Sequence, residues 1–322
     1  MIVEASDSSF SSVSGILNYE LEADITIAEQ WHLNRICSAG LPMRPVYVST
    51  NKGLGSTVYL MDSGVDTSHP ELTSADIQSL WSWDNNFTDT NGHGTGLASI
   101  LVGTTLGVSP EATVKSVKIP FGQSISVSVL LTAFDTILAD HLLTPNTIKV
   151  INCSWNIPKS LVLDSKIVEL QGYGLVVVAA AGNSISDANL LSPVGLDTVL
   201  GVAASDAYDR VISWGTGVGS NWGPDVDITA PGIDVEVAVL NGGTAIKSGT
   251  SIAAAVVSGV VCQYIVDNPS IESSSILQDL IIANSLTDRL FRNESIYGTT
   301  PNRLVNLPYV ELLVSPSKGD RI

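Results

Sequence analysis

The sequence predicts an α/β protein, a three-layer α/β/α sandwich with a mainly parallel central sheet, and three observations carry that reading. Short β-branched runs alternate with longer stretches of helical length and spacing, as expected of strands buried on both faces and joined by crossover helices. Apolar residues make up 44% of the 322 residues and charged ones only 15%, a balance that fills a sizeable core and argues against intrinsic disorder. No repeat or low-complexity segment interrupts the alternation, and a single large α/β core accommodates a chain of this length.

The elements follow in order. A first strand is expected at Thr57–Met61, where Val58-Tyr59-Leu60-Met61 is uniformly apolar, and Asp62-Ser63-Gly64 then turns the chain. Gly94–Val102 has helical spacing, followed by a strand at Ala112–Ile119 and a helix at Val127–Asp140. The next strand, Ile148–Cys153, leads to a helix at Leu161–Leu170 and to strands at Leu175–Ala180, Thr198–Val202 and Val226–Thr229. After Ser251 the apolar Ile252–Val266 makes a long helix. Ser258, Gln263 and Asp267 break its apolar character, so no uninterrupted run approaches the roughly 18 residues of a membrane span.

Charge removes some function classes. With 32 acidic and 15 basic residues the net charge is −17, which repels nucleic acid and anionic membranes, so neither is an expected partner. The three cysteines, Cys37, Cys153 and Cys262, have no metal-binding spacing. Cys153 and Cys262 sit in apolar runs and read as small buried hydrophobes; a disulfide from Cys37 to one of them is the lesser alternative. The opening MIVEASDSSFSS has neither a cationic nor an apolar leader region, so no secretory signal is visible.

Chemistry concentrates in four motifs: Asp62-Ser63-Gly64, His93-Gly94-Thr95, Ala181-Gly182-Asn183 and Gly249-Thr250-Ser251. Each has an ordinary reading when taken alone. Asp-Ser-Gly and Gly-Asn are turns, a lone histidine is usually structural, and Gly-Thr-Ser caps a helix. Their order is the informative part, because Asp…His…Ser separates one hydrolase lineage from His…Asp…Ser and Ser…Asp…His. The serine lies in no G-x-S-x-G elbow, which argues against a lipase or esterase, and H-E-x-x-H is absent, which argues against a zinc peptidase.

Longer stretches extend the match. Val65-Asp66-Thr67-Ser68-His69-Pro70 follows the aspartate, Asn91-Gly92 precedes the histidine, and Lys247-Ser248-Gly249-Thr250-Ser251-Ile252-Ala253 surrounds the serine. With Ser220–Gly232 as a further signature, the chain resembles the subtilisin-like serine proteases (subtilases, peptidase S8), and within them the proteinase K-like branch. The likeness runs from Trp31-His32-Leu33-Asn34-Arg35-Ile36 to about Leu290. It implies a subtilisin-like fold and a serine endopeptidase acting on polypeptides, with catalytic Asp62, His93 and Ser251. The Asn183 amide would be an oxyanion donor. Ser154, Trp155 and Asn156 would form one wall of the primary substrate pocket and Ala180, Ala181 and Gly182 another, with Phe121–Ser124 flanking substrate.

The same resemblance divides the chain into residues 1–27, where Ile16–Ile27 is similar to the last strand of an inhibitory propeptide, a catalytic domain over 28–312, and a tail over 313–322. Its chemistry needs no cofactor and assigns no metal ligand. Many members carry structural calcium, but no EF-hand-type loop marks a site here. Three departures from the family pattern stand out: Gly96 replaces a frequent second histidine, Ala255-Val256 replaces Pro-His, and Ser154-Trp155-Asn156-Ile157 replaces Ser-Leu-Gly-Gly. The last is expected to put two side chains into the primary pocket and to favour small residues before the scissile bond. The rival reading is a structural or binding protein on the same scaffold, such as a virion or surface component.

Overall fold

The computed structural model describes residues 30–144 and 147–307. The segment 1–27 and the tail 313–322 lie outside these residues. Strands β1 (Thr57–Asp62), β2 (Ile77–Ser82), β3 (Thr113–Lys118), β4 (Lys149–Cys153), β5 (Leu175–Ala180), β6 (Leu200–Ser205), β7 (Ile228–Pro231), β8 (Val235–Val239), β9 (Gly243–Lys247), β10 (Leu286–Thr287) and β11 (Arg303–Leu304) are joined by six principal helices. These are α1 (Trp31–Ile36), α2 (His93–Val102), α3 (Val127–His141), α4 (Leu161–Gly172), α5 (Thr250–Asp267) and α6 (Ser274–Ala283). The main sheet has nine strands in the order β10-β11-β7-β6-β5-β4-β1-β3-β2. Every pair in it is parallel except β10 with β11.

Two cores cover the two faces of this sheet, and side-chain alternation sorts residues between them. In β1, Val58 and Leu60 join the core formed with α2, α5 and α6, while Tyr59 and Met61 join the one formed with α3 and α4. Layers of helix, sheet and helix result, as the sequence predicts. Local chemistry starts the outer helices: Ser126 caps α3 and Ser160 caps α4, each hydroxyl accepting the backbone N–H three residues on.

Most expected elements fall within a residue or two of their places, and five lie outside the expected set: helix α1, strand β2, the antiparallel hairpin β8–β9, helix α6 and the edge pair β10–β11. Helix α5 is long and apolar enough by length and composition to cross a membrane, with a mean hydropathy of 1.5, yet 78% of it is buried within the fold. It is the central helix, packed on β4, β5, β6 and β7. Cys37, Cys153 and Cys262 are all free and buried, which removes the disulfide alternative.

Topology fixes where chemistry can occur. Strand β1 lies between β3 and β4, so the chain leaves it toward one edge and later returns to its other side. In open α/β sheets the crevice at the carboxyl ends of the strands beside such a reversal receives ligands. Asp62 ends β1 there.

Candidate active site

Asp62 is buried, and its carboxylate is occupied from two directions. The Ser63 N–H donates to Oδ1 at 2.8 Å, and His93 Nδ1–H donates to Oδ1 at 2.8 Å and to Oδ2 at 3.0 Å. His93 reaches it because α2 begins at that residue, with Gly92 at φ 91° as its N-cap. The next residue must be glycine for space: a Cβ on Gly94 would overlap the Gly64 carbonyl and come within 3.1 Å of Asp62 Oδ1. In turn the Gly94 N–H donates to Ser63 Oγ at 2.9 Å.

A residue that the motif reading passed over sets this loop. Buried Asp89 accepts the N–H groups of Asn91 and Gly92 through Oδ1, both at 2.9 Å, and the N–H and hydroxyl of Thr95 through Oδ2 at 3.1 and 2.6 Å. Its position four residues before His93, ahead of Asn-Gly, was the available signal. Burial of the His93 imidazole works against its charged form, but the adjoining Asp62 carboxylate and the charge of Asp89 outweigh burial and raise its pKa above the usual 6.5. With Nδ1 carrying the proton toward Asp62, Nε2 of the neutral ring is left as a base. Phe121 stacks on the imidazole with ring centroids 4.2 Å apart and planes 20° from parallel.

The other three histidines are occupied by backbone. His32 donates to the Leu106 carbonyl, His69 to Gly243 and His141 to Tyr173, at 3.0, 2.8 and 2.8 Å.

Ser251 lies in the first turn of α5, whose N-cap is Gly249, so its hydroxyl is not used as a cap. It donates instead to the Ser154 carbonyl at 3.1 Å, while Ser154 Oγ donates to the Ser251 carbonyl at 3.0 Å. Asn183 is held by Thr250, whose N–H and hydroxyl both donate to its Oδ1 at 2.9 Å. With the oxygen so committed, the Nδ2 donors have no hydrogen-bond partner among the described residues. A Cβ on Gly249 would stand 3.7 Å from Nδ2. The loop before Ser251 is braced by the Gly249 N–H, which donates to Gly232 at 2.7 Å, giving the Ser220–Gly232 signature its structural role.

Of the expected pocket residues, one is corrected. Trp155 does not face the site; it is buried between sheet and α3 with its ring 6.5 Å from Phe134. Alternation explains this, because Ile151, Cys153 and Trp155 share one face and Asn152, Ser154 and Asn156 fall on the other. Of the two side chains at the family's glycine positions, Ile157 packs against the core formed with α3 and α4, and Asn156 spans the gap, donating from Nδ2 to the Ala180 carbonyl at 3.0 Å with Oδ1 buried and without a partner among the described residues. Ala181 packs into the core, and Gly182, at φ 101°, lies 3.4 Å by its notional Cβ from Asn156 Nδ2. Among the described residues no group of three His, Cys, Asp or Glu side chains converges to cage a metal.

His93, Asn183 and Ser251 line one cleft of about 600 Å³ at the carboxyl end of the sheet. A carboxylate-bound imidazole, a helix-borne serine and an amide donor sharing a cleft are the parts of a serine hydrolase. Comparison with known proteins narrows this. A family model described as the subtilase family, Peptidase S8, matches residues 53–302. A cuticle-degrading serine protease of Arthrobotrys oligospora is 31% identical over 293 residues, covering 87% of this chain and 69% of that protein. An alkaline extracellular protease of Yarrowia lipolytica is 34% identical over 271 residues, covering 80% and 59%. The crystal structure of a cold-adapted subtilisin-like serine proteinase superposes with a TM-score of 0.78 at 28% identity, covering 88% of this chain and 100% of that one. The chain belongs to the subtilase family and has the subtilisin-like fold. It spans 59% to 69% of the length of the two curated relatives.

Proposed function

We propose that the chain is a serine endopeptidase in which Ser251 attacks a peptide carbonyl. His93 Nε2 takes the hydroxyl proton and afterwards delivers it to the leaving amine. Asp62 holds the imidazole in the Nδ1–H tautomer and stabilises the imidazolium formed during attack. The carbonyl oxygen becomes an oxyanion that accepts from Asn183 Nδ2 and the Ser251 N–H; one such donor is worth about 3–4 kcal/mol in the transition state. Loss of the amine leaves an ester on Ser251, which water hydrolyses with His93 again as base. The observation that carries this reading is the pair of hydrogen bonds from His93 Nδ1 to buried Asp62, because it commits the tautomer that leaves Nε2 basic.

Substrate selection on the acyl side follows from Asn156. Its side chain bridges the walls that Ser154 and Ala180–Gly182 provide, so the pocket accepts small residues before the scissile bond. Labelling tests the central assignment: a fluorophosphonate probe adds one adduct to the native protein by intact mass and none to Ser251→Ala. Failure of the native protein to label favours a binding protein on the same scaffold.

A further inference from the structure

The irregular loop that leaves β5 carries Asn183, and one buried side chain from a distant part of the chain holds it. Asn221 is 1% exposed and lies in the Ser220–Gly232 signature. Its Oδ1 accepts the N–H groups of Ser184 at 2.9 Å and Ser186 at 3.0 Å, and the Ser186 hydroxyl at 3.2 Å. Its own N–H donates to the Gly182 carbonyl at 2.9 Å. Neighbours of Asn221 extend this pairing, with the Gly219 N–H donating to the Asn183 carbonyl at 3.1 Å and the Trp222 indole N–H to the Ile185 carbonyl at 3.1 Å. Asn221 therefore grips the residue before Asn183 and the residue after it.

We propose that Asn221 is a positioning residue for the oxyanion donor, its side-chain oxygen holding the loop so that Asn183 Nδ2 is in place before the tetrahedral intermediate forms. The inference rests on the endopeptidase reading of the same site and adds a residue that acts through Asn183. Thr250 fixes the Asn183 side chain by its oxygen, but the direction of the amide nitrogen depends also on the backbone that carries it. That backbone is strained close by. Ile185 has φ 51°, a left-handed conformation that is an outlier for a β-branched side chain and persists only where the surroundings impose it. The two N–H groups that converge on Asn221 Oδ1 lie on either side of Ile185, so this one oxygen supplies such a constraint. Asparagine suits the position because its neutral amide oxygen accepts several donors without bringing an anion to a loop that must stabilise an oxyanion. Gly182 is matched to it: its φ is 101°, and a Cβ there would overlap Asn221 Nδ2.

A double-variant cycle reads this role. kcat and KM are measured on a peptide nitroanilide for the native protein, Asn221→Ala, Asn183→Leu and the two combined. Asn221→Ala is expected to lower kcat about 10- to 100-fold, the scale of a misplaced catalytic donor, with KM changed by less than about threefold. Because Asn221 acts through Asn183, adding Asn221→Ala to Asn183→Leu is expected to lower kcat no more than about threefold further. A residue that only supports the fold would instead multiply the two losses. If Asn221→Ala does not fold, Asn221→Ser enters the same cycle with an expected loss of about tenfold in kcat, since its hydroxyl is too short to reach both N–H groups. Native kcat in the folded variant, a loss confined to KM, or multiplicative losses in the double variant would overturn the proposal. A native protein that cleaves no peptide nitroanilide would instead refute the endopeptidase reading, and this inference with it.

Discussion

Asp62 and His93 meet through contacts of 2.8 and 3.0 Å, whereas the Ser251 hydroxyl donates at 3.1 Å to Ser154 and forms no hydrogen bond to the imidazole. The acid–base half is assembled from the end of β1 and the start of α2, with Asp89 bracing the loop between them. The nucleophile half is assembled from the start of α5 and the loops after β4 and β5, with Thr250 clamping Asn183. Each half has its own hydrogen bonds, and the two are held against each other by the packing of α2 on α5. Catalytic hydrogen bonds of this kind tighten when substrate is bound. On the endopeptidase reading, substrate binding is expected to turn the Ser251 hydroxyl from the Ser154 carbonyl toward the His93 ring.

If the halves act as one unit, removing either member of the junction should cost nearly the whole chemical step. Ser251→Ala and His93→Ala are each expected to lower kcat by about 10⁵- to 10⁶-fold, and the double variant should be no worse than the poorer single one. Multiplicative losses in steady-state assays would break the comparison. Within the acid–base half, Asp62→Asn keeps the contact but presents the wrong tautomer, with an expected loss of about 10⁴-fold in kcat. Within the nucleophile half, Asn183→Leu removes one donor and should cost about 10²- to 10³-fold in kcat with little change in KM. The smallest effect belongs to the pocket wall. Asn156→Gly should move the peptide-library preference before the scissile bond from small residues toward leucine and phenylalanine, with the triad rate on small residues changed only a few-fold.

How legible the two halves were in sequence differs as well. Motif order located Asp62, His93, Asn183 and Ser251, because each sits where a strand or helix end has a recognisable run before or after it. Asp89 escaped notice: its role depends on four hydrogen bonds folded over a six-residue loop, and an isolated aspartate gives no periodicity to read. Trp155 lies away from its expected wall because side-chain parity continues past the end of β4. Ile151 and Cys153 already pointed to its face. Hairpin β8–β9 was missed for another reason. Gly243–Lys247 is mostly exposed and carries little apolar patterning, and its partner strand is short. That hairpin supplies Val237, Ala238, Val239, Leu240 and Lys247 to the cleft.

The protonation of His93 links both halves and gives the most direct measurement. Folding raises its pKa, chiefly through Asp62 acting against burial, so the charged imidazole is favoured in the native state. Its contribution to stability is complete below the unfolded value of about 6.5 and is lost as pH rises through the higher native value. Reactivity runs the opposite way, because only the neutral ring can accept the Ser251 proton. The second-order rate of fluorophosphonate labelling at Ser251, measured from pH 5 to 9, is expected to rise sigmoidally with a midpoint above 6.5 and to vanish in His93→Ala. A rate independent of pH from 5 to 8, or undiminished labelling of His93→Ala, would contradict a serine activated by this histidine.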